Sequence, residues 1–250
     1  MQSSARRQRS VVERKQLLES TVADALRASS QLMSVGKDTA FAITSAEDGE
    51  TYSLLPEDAD VPSAYISSKR RLGWVSGRAA AYRTLKDLGV TNPTAIGRGC
   101  AGEPIWPHGI SGSITHCYPW SVAVATRSSG CLSLGIDLES MQRIRKIDVG
   151  SVICRKNERE WIGAGSDSDK RLCMIFSAKE AVYKSLFPSY RRYIDFQEVE
   201  LSWCKDKASF YAAVLPAVEE CAQGRLSYIP SQECDDLIFS CAVYELQQIV

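Results

Sequence analysis

Two separate segments of the chain carry nearly the same helical pattern. Gly77-Arg-Ala-Ala-Ala-Tyr-Arg-Thr-Leu85 aligns with Ala178-Lys-Glu-Ala-Val-Tyr-Lys-Ser-Leu186, and most aligned pairs are identical or similar in kind. One explanation is chance similarity between two alanine-rich amphipathic helices. The other is a duplicated α+β unit, which would place a ligand groove at the junction of two halves, a common location for binding sites. In this alignment Ala79 stands opposite Glu180, which is the substitution of most chemical interest.

Charge and cysteine content narrow the classes of function. Lys plus Arg and Asp plus Glu both number 30 in the 250 residues, so no global cationic field collects nucleic acid or anionic membrane. The nine cysteines form no Cys-x-x-Cys pair and there are only two histidines, which argues against zinc. The cysteines are better explained as reduced, buried thiols than as disulfides, and reduced thiols indicate a cytoplasmic protein. We expect no nucleic-acid partner, no export signal and no membrane span.

The pattern of apolar residues divides the chain into three parts. Residues 1–40 form an extension in which apolar spacing predicts a short helix over 11–27. Residues 41–126 form a first α+β half, with a strand pair over 41–55, a polar loop over 56–62, a helix over 65–88 that ends at Gly89, and a Gly/Pro-rich loop over 92–112. Residues 127–250 form a second α+β half.

The boundary between the two halves lies between the two strands of a predicted hairpin. Short apolar runs at 121–126 and 132–138 flank a Ser-Ser-Gly turn at 128–130, which predicts two paired strands. A helix over 169–186 follows, and then strands near 199–203, 209–214 and 237–244. The repeated order of helix and strands is what a duplicated unit predicts.

Acidic residues follow an apolar strand in Gly135-Ile-Asp-Leu-Glu139. Alternation places Asp137 and Glu139 on one face, about 7 Å apart along the strand, where two carboxylates can grip a hard cation. A solvated strand end is the alternative. In the second helix Glu180 and Lys184 stand one turn apart on one face; they form either a surface ion pair or a magnesium ligand beside a phosphate contact.

Possible anion contacts come from elsewhere in the chain. Gly112-Ser-Ile-Thr-His116 is predicted as a loop whose small residues let backbone N–H groups and hydroxyls approach a phosphate, although a lone histidine is more often structural. Arg70 and Arg78 lie about two helical turns apart and so share a face, and Arg98 is a further cation. A solvated basic face is the alternative. Together these features point to a phosphate-ester or pyrophosphate substrate.

The chain resembles the Sfp-like and enterobactin-synthetase-type 4'-phosphopantetheinyl transferases. The resemblance covers about residues 54–203, and its motifs follow the family's order and spacing. They are Lys69-Arg-Arg with Gly77-Arg-Ala-Ala80, Gly102-Glu-Pro-Ile-Trp-Pro107, Gly112-Ser-Ile-Thr-His-Cys117, Gly135-Ile-Asp-Leu-Glu139 and Phe176-Ser-Ala-Lys-Glu-Ala-Val-Tyr-Lys184. Relatives commonly have a basic residue where this chain has Ala101, so that contact is missing here or supplied by Arg98.

The resemblance implies an α+β fold of two pseudo-twofold-related halves with coenzyme A bound between them. It implies a magnesium-dependent enzyme, or one that uses Mn²⁺ in its place, with metal ligands Asp137, Glu139 and Glu180. The catalytic residues would be Glu180, Lys184 and Asp137. The residues expected to bind coenzyme A are Arg70, Arg78, Arg98, Gly102, Glu103, Pro104, Ser113, Thr115, His116, Asp137, Glu180 and Lys184.

The implied reaction is transfer of the 4'-phosphopantetheine arm to a serine of an acyl, peptidyl or aryl carrier protein, with release of 3',5'-ADP. The resemblance to enterobactin-synthetase-type enzymes favours a role in polyketide, nonribosomal-peptide or siderophore synthesis. A groove built within one chain favours a monomer. Two other hypotheses stay open: a non-catalytic, regulatory coenzyme A-binding protein, and a magnesium-dependent phosphohydrolase that needs no protein acceptor.

Overall fold

The computed structural model describes residues 9–32, 38–46, 68–91, 95–127, 132–145, 150–215 and 224–246. Helices are α1 (Val11–Leu32), α2 (Ser68–Asp87), α3 (Met141–Ile144), α4 (Gly150–Ile153), α5 (Lys156–Gly163) and α6 (Ser168–Tyr190), with 3₁₀ turns at Phe196–Glu198 and Lys205–Lys207. The first strands are β1 (Thr39–Ser45), β2 (Gly97–Arg98), β3 (Pro104–Ile105), β4 (Ile110–Cys117), β5 (Trp120–Arg127) and β6 (Leu132–Ser140). The remaining strands are β7 (Val199–Cys204), β8 (Ser209–Val214), β9 (Gly224–Leu226), β10 (Ile229–Cys234) and β11 (Leu237–Leu246).

The first sheet is small and antiparallel, in the order β1-β5-β4, and α2 packs across it. Ala80, Ala81 and Leu85 of α2 are fully buried against Ala123 of β5. Alanines on the inner face let the helix lie close to the strands, because only methyl groups separate the two backbones. The Ser76 and Ser121 hydroxyls share a hydrogen bond of 2.6 Å across this contact.

The second sheet is larger, in the order β6-β11-β10-β8-β7, and α6 packs on β6, β11 and β10. Ala178, Ala181, Val182 and Leu186 of α6 are fully buried in this core. Each long helix therefore lies on its own sheet, which gives an α+β architecture. The short strands β2 and β3 pair only with each other in the part of the chain that the structure describes.

The N-terminal helix α1 belongs to the packed structure. Leu18, Val22 and Ala25 are buried against β10 and β11 in a core that also takes in β1, β5 and β6. Arg14 adds an ion pair of 2.9 Å to Asp236. The predicted amphipathic helix is thus confirmed, and it runs beyond its expected end to Leu32.

The two sheets meet where β4 passes β6, and side-chain hydroxyls join them there. Ser113 Oγ accepts a hydrogen bond of 3.1 Å from Ile136 N, and Thr115 Oγ1 accepts one of 3.1 Å from Leu138 N. β4 and β6 belong to different sheets. The junction between the halves is therefore held by hydroxyls rather than by a backbone ladder.

Several local predictions were wrong. The runs at 121–126 and 132–138 are strands, but β5 pairs with β1 and β4 whereas β6 pairs with β11, so no hairpin joins them in the described residues. The expected loop over 92–112 contains β2, β3 and the start of β4. The expected anion loop ending at His116 is strand β4, and β10 was missed. The loop predicted at 56–62 and most of the strand pair predicted at 41–55 fall outside the described residues.

The helices over 65–88 and 169–186 correspond to α2 and α6, and the strands predicted near 199–203, 209–214 and 237–244 correspond to β7, β8 and β11. No helix among the described residues is both long and apolar enough to cross a membrane. The seven cysteines within the described ranges are free thiols.

Candidate active site

A pocket of about 200 Å³ opens between α2, β4 and the β2–β3 connection. Residues predicted from separate motifs come together in its walls, although they are far apart in the sequence. The full lining is Arg70, Gly73, Trp74, Gly77, Arg78, Gly102, Pro104, Ile114 and His116. Of the predicted coenzyme A residues, the pocket thus brings together Arg70, Arg78, Gly102, Pro104 and His116.

The cationic wall of the pocket comes from α2. Arg78 is only 4% exposed, and its guanidinium carbon lies 3.9 Å from the centre of the Trp74 ring. Such stacking holds the planar guanidinium in one orientation, and low exposure strengthens its attraction for an anion. Arg70 lies on the same side of the helix, as the spacing predicts, but is exposed.

Two glycines of α2 make room for the opposite wall. A Cβ at Gly73 would lie 2.6 Å from His116 Cδ2, and a Cβ at Gly77 would lie 3.1 Å from Ile114 Cγ2. The imidazole therefore rests directly on the helix surface. Gly73, Trp74 and Gly77 were not predicted as pocket residues, although two glycines one turn apart between Arg70 and Arg78 are a signal for a close approach.

The electrostatic surroundings of His116 link the pocket to the second half. Although the residue is exposed, packing around its ring lowers the pKa of His116; the Lys184 ammonium lowers it further, and the Asp137 carboxylate opposes both. At neutral pH the ring is thus mainly uncharged, with one N–H to donate. Arg143 lowers the pKa as well, and all three charges that act on the ring come from beyond the junction of the sheets.

The β2–β3 connection closes one end of the pocket. Gly102 has a φ of 94°, a conformation that favours glycine, and a Cβ there would lie 3.3 Å from Arg98 Nη2. Arg98 is thereby placed beside the pocket wall. The Glu103 carboxylate accepts a hydrogen bond of 3.1 Å from Ala101 N and lies 3.5 Å from Arg191 Nη1, so it braces the turn against the end of α6.

Ser113 and Thr115 lie at the junction of the sheets rather than in the pocket lining. Both are buried, and their hydroxyls accept the β6 hydrogen bonds described above. Thr115 also donates to Asp137 Oδ1 at 3.1 Å. The Thr115 hydroxyl therefore helps to hold Asp137, and the Ser113 hydroxyl helps to hold β6; phosphate binding by either stays a prediction.

The acidic part of the site is the end of β6. Asp137 and Glu139 are 5% and 8% exposed, and Asp137 Oδ2 and Glu139 Oε2 are buried without a hydrogen-bond partner in the described residues. Burial, and then the charge of Asp137, raises the pKa of Glu139 to about 7. Two neighbouring buried carboxylates with unsatisfied oxygens are costly unless a cation joins them.

Gly135 lets α6 approach this strand. A Cβ at Gly135 would lie 1.9 Å from Ala181 O and 2.5 Å from Ser185 N, so any larger residue would push the helix away. The close contact brings Lys184 over the carboxylates, with Lys184 Nζ 2.8 Å from Asp137 Oδ1 and 3.0 Å from Ile136 O. Sequence spacing alone did not predict this ion pair.

Glu180 lies one turn before Lys184 on α6 and faces the same cluster. Burial raises the pKa of Glu180; Lys184 then lowers it and Asp137 raises it. In the described residues no three His, Cys, Asp or Glu side chains already converge as a metal cluster. The donor set nevertheless fits magnesium, because Asp137 and Glu139 offer unpaired buried oxygens and Glu180 adds a third carboxylate nearby.

Comparison with known proteins places this arrangement in a family. The model of the 4'-phosphopantetheinyl transferase superfamily matches residues 133–226, and that of the 4'-phosphopantetheinyl transferase N-terminal domain matches residues 57–126. The chain is 34% identical over 180 residues to the 4'-phosphopantetheinyl transferase Svp of Streptomyces mobaraensis, covering 71% of this chain and 72% of that protein. The chain belongs to the 4'-phosphopantetheinyl transferase superfamily.

Further relatives agree with this assignment. Enterobactin synthase component D of Escherichia coli K12 is 31% identical over 157 residues, which cover 61% of this chain and 71% of that protein. The 4'-phosphopantetheinyl transferase Npt of Nocardia iowensis is 35% identical over 135 residues, which cover 54% of this chain and 60% of that protein. The match thus spans less than two thirds of Npt. The boundary between the two matches, from residue 126 to 133, falls between β5 of the first sheet and β6 of the second.

Proposed function

We propose that the chain transfers the 4'-phosphopantetheine arm of coenzyme A to a serine of an acyl or peptidyl carrier protein and releases 3',5'-ADP. The observation that carries the proposal is that strand β4 joins a cationic pocket to a buried acidic cluster: His116 lines the pocket, and the neighbouring Thr115 hydroxyl donates to Asp137 Oδ1 at 3.1 Å. A substrate with a pyrophosphate between a nucleotide and an organic arm needs both kinds of site. The names of the relatives support the same reaction.

In this proposal the pocket holds the nucleotide end of coenzyme A. Arg70 and Arg78 bind phosphate oxygens, and the planar guanidinium of Arg78 binds two at once. His116 donates one N–H to the 3'-phosphate, and Arg98 supplies a further charge from the β2–β3 connection. The apolar walls formed by Trp74, Pro104 and Ile114 leave room for the base and ribose.

Magnesium would be held by Asp137, Glu139 and Glu180, where it neutralises charge on the pyrophosphate and on the leaving group. Lys184 has the same task. Its ammonium is bonded to Asp137 and is only partly buried, so it lies within reach of a phosphate at the junction. A lysine beside the reacting phosphate stabilises the charge that develops as the bond to 3',5'-ADP breaks.

The serine hydroxyl needs a proton acceptor. Glu180 takes the proton from the serine oxygen, directly or through a water, while that oxygen forms its bond to the β-phosphorus and the bond from that phosphorus to 3',5'-ADP breaks. Burial that raises the pKa of Glu180 makes its carboxylate a better base than an exposed one. The groove lies within one chain, so the active form is a monomer.

The natural acceptor belongs to polyketide, nonribosomal-peptide or siderophore synthesis on this proposal. The similarity to enterobactin synthase component D supports the siderophore assignment. Carriers from each of these pathways should be compared as substrates, because the fold is common to enzymes with different carriers and does not choose between them.

Mass spectrometry of a purified apo carrier protein, incubated with the chain, coenzyme A and magnesium, tests the proposal. The expected result is a mass gain of one phosphopantetheine arm on the carrier serine, which EDTA abolishes and added Mg²⁺ or Mn²⁺ restores. Coenzyme A binding without modification of any carrier would instead indicate a non-catalytic, regulatory protein. Cleavage of coenzyme A without a carrier would indicate a phosphohydrolase.

A further inference from the structure

A buried lysine stands next to Glu180 on α6 and takes no part in the reaction described above. The side chain of Lys179 is 1% exposed and that of its partner Glu158 is 0% exposed. Lys179 Nζ donates to Glu158 Oε2, to Ile153 O and to Phe196 O, each at 2.8 Å. An ammonium group has three donors, so all of them are used.

The carboxylate of Glu158 is equally engaged. Its Oε2 also accepts a hydrogen bond of 2.6 Å from Arg155 N, and its Oε1 accepts one of 2.7 Å from Leu201 N. The ion pair therefore ties α6 to the end of α4, the start of α5, the 3₁₀ turn at Phe196–Glu198 and strand β7. A packed apolar pair could fill the same space without buried charge, but it would leave these backbone groups without partners and free to shift.

One of the segments held by Lys179 forms the wall beside Glu180. The Phe196 ring lies 5.9 Å from the Phe176 ring, and the Tyr193 ring lies 5.9 Å from the Tyr183 ring. Phe176, Glu180 and Tyr183 are spaced so that they share one face of α6. Because the Phe176 and Tyr183 rings flank Glu180 on α6, the segment that packs on both rings lies beside this carboxylate.

The same segment is bonded to α4 on its outer side. Gln197 Nε2 donates to Val152 O at 2.6 Å, and Arg155 Nη1 donates to Gln197 O. Val152 and Tyr193 are 65% and 63% exposed, so this part of the protein borders solvent beside Glu180. Residues 193–197 are therefore held on the core side by Lys179 and on the solvent side by the hydrogen bond from Gln197 to Val152 O.

We propose that Lys179 is a positioning residue, whose three hydrogen bonds fix residues 193–197 and the end of α4 relative to Glu180 so that the carboxylate faces the acceptor serine. The inference rests on the transfer reaction proposed above. Residues of one helical motif then have two roles. Lys179 orders the surroundings of the reacting group, whereas Glu180 and Lys184 contact the reactants.

The double variant Lys179→Met/Glu158→Met tests this, because it removes both buried charges and leaves neither unpaired. Melting temperature, the Kd for coenzyme A and kcat at saturating carrier are measured against wild type. We expect a lower melting temperature, because four buried backbone groups lose their partners, but a Kd close to wild type, since the pocket lies on α2 and β4. Below the unfolding transition, kcat should fall roughly 10- to 100-fold by misplacement of Glu180. The control is Lys170→Met on the same helix; it breaks an exposed ion pair to Glu233 of β10 and should keep wild-type kcat.

Gln197→Ala provides a second test in a variant whose core is untouched. Loss of its bond to Val152 O should lower kcat about 2- to 10-fold without changing the Kd for coenzyme A. Wild-type kcat in the double variant overturns the inference. If the double variant does not fold, Gln197→Ala becomes the decisive test, and a wild-type kcat in that variant overturns the inference. Wild-type protein with no transfer to any carrier would instead defeat the proposed reaction, so the two failures are distinguishable.

Discussion

The helices α2 and α6 each pack on the sheet of their own half but present different charges to the junction. Helix α2 presents Arg70 and Arg78 to the pocket, whereas α6 presents Glu180 and Lys184 beside the carboxylates of β6. The position aligned with Glu180 is Ala79 in α2, which is buried at 3% exposure. The carboxylate that α6 brings to the site therefore has no counterpart on α2, and the first half supplies a cationic site where the second supplies an acidic one.

Two glycines at the site differ in what fills the space beside them. At Gly73 of α2 the space is taken by the His116 ring, a side chain that can move. At Gly135 of β6 it is taken by the backbone of α6 itself. The α2 wall of the pocket therefore keeps an adjustable surface for a ligand, whereas the contact of β6 with α6 holds the acidic groups rigidly.

Glu180→Gln should produce the largest effect. Loss of the proton acceptor and of one metal ligand is expected to lower kcat about 10²- to 10⁴-fold, while the Kd for coenzyme A stays near wild type because the cationic half is intact. Single-turnover mass spectrometry of the carrier and calorimetry with coenzyme A measure the two quantities. Glu160→Gln, on an exposed ion pair of α5, is the matched control. Full activity of Glu180→Gln would show that Glu180 is not the proton acceptor, and that α6 does not differ from α2 in this respect.

Gly135→Ala tests the rigid contact of the second half. Its Cβ would meet backbone atoms of Ala181 and Ser185, which cannot rotate away, so we expect a loss of about 1–3 kcal/mol or more in the free energy of unfolding. Urea denaturation measures it. Gly163→Ala, where an added Cβ meets nothing within 4 Å, should leave stability nearly unchanged. Equal stability of the two variants would contradict a close helix–strand contact.

Arg78→Lys tests the cationic half with charge preserved. Loss of the stacked, planar guanidinium over Trp74 should weaken coenzyme A binding by about 0.5–2 kcal/mol, with kcat at saturating coenzyme A close to wild type. Calorimetry and steady-state kinetics provide the comparison. Arg83→Lys on the same helix is a suitable control. A lower kcat with an unchanged Kd would mean that Arg78 acts on the reaction rather than on binding.

Gly73→Ala should give the smallest effect of this series. The added methyl displaces the His116 ring rather than any backbone, so we expect a stability change below about 1 kcal/mol and a few-fold weaker Kd for coenzyme A. Thermal unfolding measures the change in stability, and calorimetry measures the Kd for coenzyme A. A loss of stability as large as that of Gly135→Ala would show that the α2 wall of the pocket is as rigid as the contact of β6 with α6.

The sequence predicted elements whose signals are local, and it failed where distant partners decide. Apolar spacing was sufficient for α2, α6, β7 and β8. The short runs of β5 and β6 looked like a hairpin because they are adjacent, but β6 gains more by pairing along its whole length with β11. The Gly-Ser-Ile-Thr-His segment looked like a loop because its small polar residues also suit a strand whose hydroxyls face a second sheet.

The candidate site was predicted in part for the same reason. Asp137, Glu139, Arg70 and Arg78 were found because spacing places side chains on a common face of a strand or helix. Lys179 was not, since a lysine in a helix gives no sign of burial until Glu158 and two carbonyl groups from other segments surround it. Burial of that kind is a property of the assembled fold.

The hydroxyl bonds from Ser113 and Thr115 to β6 have an evolutionary consequence. A backbone ladder fixes two strands at about 4.8 Å whatever their side chains, and so resists change by single substitutions. Where hydroxyls make that connection, each bond depends on one side chain, so replacing Ser113 or Thr115 by a residue without a hydroxyl leaves an N–H of β6 without its partner. Point mutation can therefore alter the contact between the two sheets more readily than the pairing inside either sheet.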